Sequence, residues 1–202
     1  MTQPEETMQS NGFTIWFTGL PCSGKSTISE ILAETIRRER GMVEILDGDV
    51  IRTNLSKGLG FSREDRETNL KRIAFVCALL SRNGVPNIAA AISPFQNCRE
   101  YARESIGNYV EVYTRCSLET CIERDVKGMY KKALAGEIKG FTGVDDPFDD
   151  PENPEVICDT DQETPQQSTD KIVRYLRERG FLPATPGANG AEARQASPAR
   201  TA

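Results

Sequence analysis

A glycine and lysine spacing near the start of the chain suits the binding of a polyphosphate. Gly19-Leu20-Pro21-Cys22-Ser23-Gly24-Lys25-Ser26, followed by Thr27, fits G-x-x-x-x-G-K-[ST] between an apolar run and an amphipathic one. In such a loop the glycines let successive backbone N–H groups point at phosphate oxygens, and the following helix N-terminus adds partial positive charge. Lys25 is then placed to reach the β- and γ-phosphates, and Ser26 to offer its hydroxyl to Mg²⁺. Cys22 reads as a small side chain that fits the loop.

A second group of residues has the chemistry to handle a hydroxyl acceptor. Asp47-Gly48-Asp49 ends the second apolar run, where two carboxylates can orient magnesium-bound water or take a proton from an attacking hydroxyl. In Gly60-Phe61-Ser62-Arg63-Glu64-Asp65-Arg66-Glu67-Thr68-Asn69, Ser62 is a helix cap with Asp65 three residues on. Arg66 and Asn69 then share a helix face, offering a planar donor fork and an amide to a phosphate or sulfate, while Phe61 can stack on a base. Taken alone, that face reads equally well as a solvated charged helix. Arg63, Lys71 and Arg72 read as surface charges. Ile92-Ser93-Pro94 ends the third apolar run and either lines an acceptor pocket or terminates a strand.

These residues need elements to position them. Periodicity predicts strands over 13–18, 43–46, 85–92, 109–114 and 156–159, and helices over 27–40, 63–82, 97–106, 118–126 and 165–179. Strands alternating with helices imply an α/β fold with a parallel β-sheet flanked by helices on both faces, and ligands beyond the C-terminal strand ends. Residues 127–154 are rich in Lys, Gly, Asp and Pro with little apolar periodicity, which reads as a lid whose cations close over transferring phosphate. A kinase-sized domain over 12–182 leaves tails at 1–11 and 183–202 that are too polar or aperiodic to bury much surface.

Composition narrows the chemistry. The chain has 202 residues, 38% hydrophobic and 27% charged, which fits one domain. Its net charge of −5 disfavours nucleic acid and anionic lipid as partners. There is no histidine, so imidazole bases and histidine metal ligands are excluded, leaving carboxylates, Lys, Arg and bound cations. Six cysteines without a C-x-x-C pair, and no apolar signal segment, suggest free thiols in a cytoplasmic setting. No stretch is apolar enough to suggest a membrane anchor.

Taken together, G-L-P-C-S-G-K-S-T, D-G-D-V-I-R, G-F-S-R-E-D-R-E-T-N, I-S-P, R-D-V-K-G-M-Y-K-K-A and F-T-G-V-D-D-P-F resemble the adenylylsulfate kinase family over nearly all of residues 12–182. The resemblance implies a fold of P-loop nucleoside triphosphate hydrolase type with a lid. It implies transfer of the γ-phosphoryl of MgATP to the 3′-hydroxyl of adenosine 5′-phosphosulfate, within sulfate activation. By position it implies that Asp49 accepts the hydroxyl proton and that Asp47 supports the metal. Arg52, Arg66 and Asn69 would hold the acceptor, Phe61 and Phe141 would enclose its adenine, and Ser93 and Lys127 would line its site. Arg124 would lie beside the ATP adenine. Relatives are generally homodimers, and an ATP sulfurylase is a conceivable functional partner. The chain departs from the usual pattern at Pro21-Cys22, at Val50 and at Gln96, where arginine is common. Rival readings are a kinase for another small hydroxyl acceptor, a guanine-nucleotide switch, and an idle nucleotide-binding regulatory subunit. The switch is disfavoured because no N-K-x-D element follows.

Overall fold

The computed structural model describes residues 12–184, so the tail readings at 1–11 and 185–202 lie outside the described residues. The elements run β1 (Thr14–Thr18), α1 (Lys25–Arg40), β2 (Glu44–Asp47), α2 (Gly48–Asn54), α3 (Arg63–Arg82), β3 (Asn87–Ala90) and α4 (Gln96–Ile106). They continue with β4 (Tyr109–Arg115), α5 (Leu118–Arg124), α6 (Met129–Leu134), β5 (Val156–Asp159) and α7 (Pro165–Glu178). The sheet order is β2-β3-β1-β4-β5, and every pairing is parallel.

Two apolar layers sandwich this sheet, as the period of two along β1 requires. Ile15 and Phe17 point into a core with Ile28, Leu32 and Ile36 of α1 and Ile172 and Leu176 of α7. Trp16 points the other way, into a core with Leu70 and Ile73 of α3 and Ala102 of α4. Strand β1 is thus buried on both faces, between β3 and β4; the chain leaves it through α1 for the β2 edge and later crosses from β3 to β4 on its other side. The loop after β1 therefore opens at the point where the strand order reverses, the crevice in which such sheets bind ligands.

The structure adds two short helices to the predicted set. Helix α2 begins immediately after β2 because the Asp47 side chain accepts from Asp49 N at 2.9 Å, so the carboxylate that ends the strand also caps the helix. Helix α6 lies inside the lid segment, which the sequence reading treated as loop. Its first N–H groups are met from outside: Asp125 accepts from Tyr130 N at 2.9 Å and from Lys131 N at 3.0 Å. A helix of six residues is too short to declare a period. Strand β3 is shorter than predicted, starting after Pro86, which has no N–H to give a ladder.

Gly19 shows how tightly the loop is built. Its φ is +146°, and a Cβ there would lie 2.3 Å from Thr114 Oγ1 and 2.6 Å from Thr114 O, the backbone of β4. Gly19→Ala should therefore cost about 2 kcal/mol or more, whereas Gly58→Ala, with positive φ but open space, should cost about 1 kcal/mol. Urea midpoints of the two variants check this, and equal midpoints would contradict it.

Candidate active site

The phosphate loop is fixed from the far side of the sheet. Ser23 Oγ and Thr114 Oγ1 share a hydrogen bond of 2.7 Å, and Thr160 Oγ1 donates to Ser23 O at 2.8 Å. Gly24 and Cys22 hold left-handed conformations, with φ of +97° and +61°. Lys25 is buried, its Nζ donating to Gly19 O at 2.8 Å and Leu20 O at 2.7 Å. Burial pushes its ammonium down to about 8, against the opposing pull of the nearby thiols of Cys121, Cys22 and Cys116. Ser26 and Thr27 stand exposed in the first turn of α1. Ser26 offers a hydroxyl and Asp47 a carboxylate, a hard-oxygen donor set that suits Mg²⁺.

Opposite the loop, Asp49 is exposed at the start of α2 and pairs with Lys127 of the lid. The hydrogen bond to Asp49 raises the Lys127 pKa, so the ammonium is kept charged. The lid is also docked on the loop: Tyr130 OH donates to Pro21 O at 3.1 Å, and the Phe141 ring meets the Tyr130 ring edge-on at 4.9 Å between centroids. Phe141 packs in a small cluster that includes Leu20 and Cys22.

Arg52 lies over the exposed Phe61 ring, 4.3 Å from its centroid, and donates to Gly60 O at 2.7 Å. Burial and the neighbouring Arg66 charge lower the Arg52 pKa. Ser62 caps α3 as predicted, accepting from Asp65 N at 3.1 Å. Arg66 and Asn69 do share the inner face of α3, and the Arg66 guanidinium is engaged by acceptors of the protein itself. Arg66 donates to Phe61 O at 2.8 Å, to Thr142 Oγ1 at 2.6 Å, to Asp146 Oδ2 at 3.0 Å and to Gly140 O. It thereby draws the Phe61 and Phe141 segments to one point. Asn69 Oδ1 is buried with no hydrogen-bond partner, an acceptor that a ligand donor could satisfy.

Ser93 and Arg124 lie close to the loop. Ser93 is not an exposed hydroxyl: it is buried, its Oγ accepts from Trp16 Nε1 at 3.1 Å, and its φ of +49° makes it a strained turn beneath the site. Arg124 does reach the loop. It donates to Thr160 O at 2.5 Å and to Cys22 O at 3.4 Å from the end of α5.

A family profile described as adenylylsulphate kinase matches residues 11–159. The chain belongs to the adenylylsulphate kinase family. It is accordingly a kinase that phosphorylates adenylyl sulfate at the expense of MgATP. An adenylyl-sulfate kinase of Rippkaea orientalis is 54% identical over 175 residues, covering 87% of this chain and 97% of the relative. A probable bifunctional SAT/APS kinase of Sorangium cellulosum is 52% identical over 173 residues, which span 86% of this chain and 30% of that protein. Among solved structures, the APS kinase of Mycobacterium tuberculosis in complex with AMPPNP and APS superposes with a TM-score of 0.78 at 36% identity, over 83% of this chain and 98% of that one.

Sequence reasoning missed the residues of this adenylylsulphate kinase that shape the lid. Asp145 accepts from Phe141 N at 2.6 Å and Gly140 N at 3.0 Å, bonds that hold its carboxyl below the usual range. Its place four residues after Phe141 and two after Gly143 was the available signal. Thr160 gave none because its partner Ser23 is distant in sequence, and Asp125 none because it stands off the helix it caps.

The Lys25 environment sets a pH window. Between about 8 in the folded protein and about 10.4 in the unfolded chain, the unfolded state holds the extra proton, so this group's contribution to stability rises with pH. A bound triphosphate favours the charged ammonium. Binding of MgATP at about pH 9 should therefore take up close to one proton, and at about pH 7 almost none, in calorimetry with two buffers of different ionisation enthalpy. No uptake at the higher pH would contradict the assignment.

Proposed function

We propose that the γ-phosphoryl group passes from MgATP, held by the phosphate loop, directly to the 3′-hydroxyl of adenosine 5′-phosphosulfate lodged between α2, α3 and the lid. The products are 3′-phosphoadenylyl sulfate and ADP. The observation that carries this reading is the Lys127–Asp49 pair, which sets a carboxylate at the end of β2, across β3 from the phosphate loop. Asp49 takes the hydroxyl proton at a carboxylate oxygen as the oxygen attacks, and Lys127 holds that carboxylate in place until then. Lys25 leaves the loop carbonyls for the phosphate oxygens and, with the loop N–H groups, balances their charge.

Orientation falls to the opposing wall. Phe61 and Phe141 enclose the acceptor adenine, and Asn69 Oδ1 receives a donor from the acceptor. Arg52 faces its anionic part, and Arg66 holds the lid segment over it. Arg124 lies against the ATP adenine. Ser26 and Asp47 would hold Mg²⁺, which when bound neutralises phosphate charge. The docked lid excludes water and so limits wasteful hydrolysis.

The wider setting follows the same lines. Exposed Phe75 and Leu79 on α3 support self-association as a homodimer. The bifunctional relative supports a working link with an ATP sulfurylase. Six free thiols support a cytoplasmic location, and among the described residues no helix is long and apolar enough to cross a membrane.

Asp49→Ala should lower kcat by about 100-fold or more while leaving MgATP affinity nearly intact, a size typical of a lost general base. Turnover is read by mass as 3′-phosphoadenylyl sulfate formed. Wild-type kcat in the variant would remove Asp49 from this role.

A further inference from the structure

We propose that Arg99 is a positioning residue for the acceptor site, pinning the root of the lid to the end of β3. The proposal rests on the acceptor reading above and deepens it. Arg99 is 1% exposed, an unusual place for a guanidinium, and its donors leave in three directions. Its Nη1 donates to Ser93 O at 2.8 Å, and its Nη2 donates to Asp149 O at 2.7 Å and to Gln96 Oε1 at 2.6 Å. Its Nε lies 3.0 Å from Glu111 Oε1 on β4, an ion-pair contact that offsets the burial of the charge.

Both ends of this span matter to the site. Ser93 is the strained residue whose O also accepts from Thr18 Oγ1 at 3.1 Å, and the preceding Ile92 O accepts from Gly19 N at 3.3 Å, the first glycine of the phosphate loop. Asp149 is where the lid returns to the body. Its N donates to Pro94 O at 2.8 Å, and its Oδ2 accepts from Gln96 N at 3.1 Å, closing an α4 N-terminus that has no side-chain cap of its own. Three residues before it stands Asp146, which meets Arg66 at 3.0 Å. A shift at Asp149 therefore propagates to the 140–146 turn that meets α3 at Arg66. The fork needs an acceptor at position 96, and Gln96 supplies one.

Lysine at 99 keeps the charge facing Glu111 but cannot serve Ser93, Gln96 and Asp149 at once. The test compares Arg99→Lys with the double variant Arg99→Gln/Glu111→Gln, which removes both buried charges at similar volume. Steady-state kinetics and amide hydrogen exchange are measured on the full chain. The expected result is a rise of about tenfold or more in KM for adenylyl sulfate, with KM for ATP within about twofold and kcat within about threefold. The Asp149 amide should exchange at least about tenfold faster, with β1 amides unchanged. If Arg99→Lys fails to fold, the double variant alone decides.

A folded variant that keeps the wild-type acceptor KM, or that raises both KM values equally, overturns the proposal. Absence of turnover in the wild-type protein would instead overturn the functional reading. In that case the exchange rate of the Asp149 amide would still decide the anchor, unchanged exchange counting against it.

Discussion

Concentrated negative charge can be held on this fold only where backbone N–H groups converge without carbonyls or side chains in the way, and one turn of chain provides that. The 19–24 loop is forced into its curl by contact with β4: Gly19 has no room for a Cβ against Thr114, and Ser23 is bonded to Thr114 and Thr160. Lys25 is buried behind it and turned onto the loop's own carbonyls. Every other part of the site is arranged around this fixed anion receptor. The switch in strand order at β1 leaves the crevice open, and β2 and β3 bring Asp47 and Ser93 to the same edge.

The lid joins the two halves of the crevice through unlike forces. Toward the phosphate loop it makes apolar and aromatic contact through Tyr130, Phe141 and Gly143, which a Cβ would press against Leu20. Toward the acceptor side it makes charged contact, Lys127 with Asp49 and Asp146 with Arg66. Exposed ion pairs contribute little to stability, so the Lys127–Asp49 contact can be exchanged at small cost when a hydroxyl arrives. The Arg66 contacts are more buried and more numerous, which suits a hinge point rather than a mobile latch. This division lets the lid keep its shape while Lys127 changes partners.

The sequence carried the α/β alternation because buried parallel strands are continuously apolar and the long helices are amphipathic; α3 and β5 matched their predicted limits. Helices α2 and α6 were invisible because each is only about two turns and takes its cap from a residue that reads as turn or loop, Asp47 or Asp125. The phosphate-loop turn, the Ser62 cap and the shared face of Arg66 and Asn69 were legible because their placement depends on local spacing. The surroundings of Ser93 were not legible, because only the tertiary position of Trp16 makes its hydroxyl an internal hydrogen-bond acceptor. Arg99 was hidden for the same reason, since nothing local distinguishes a buried arginine partnered by β4 and the lid from a solvated one on α4.

The proposed reaction passes phosphate directly across the crevice, with no covalent stop on the protein. Transfer from ATP carrying a γ-phosphorus made chiral with oxygen isotopes and sulfur measures it. A single in-line displacement predicts inverted configuration in the 3′-phosphoadenylyl sulfate analogue formed. Retained configuration would mean two displacements through a phosphorylated side chain, and would contradict the direct transfer from the phosphate loop to the hydroxyl facing Asp49.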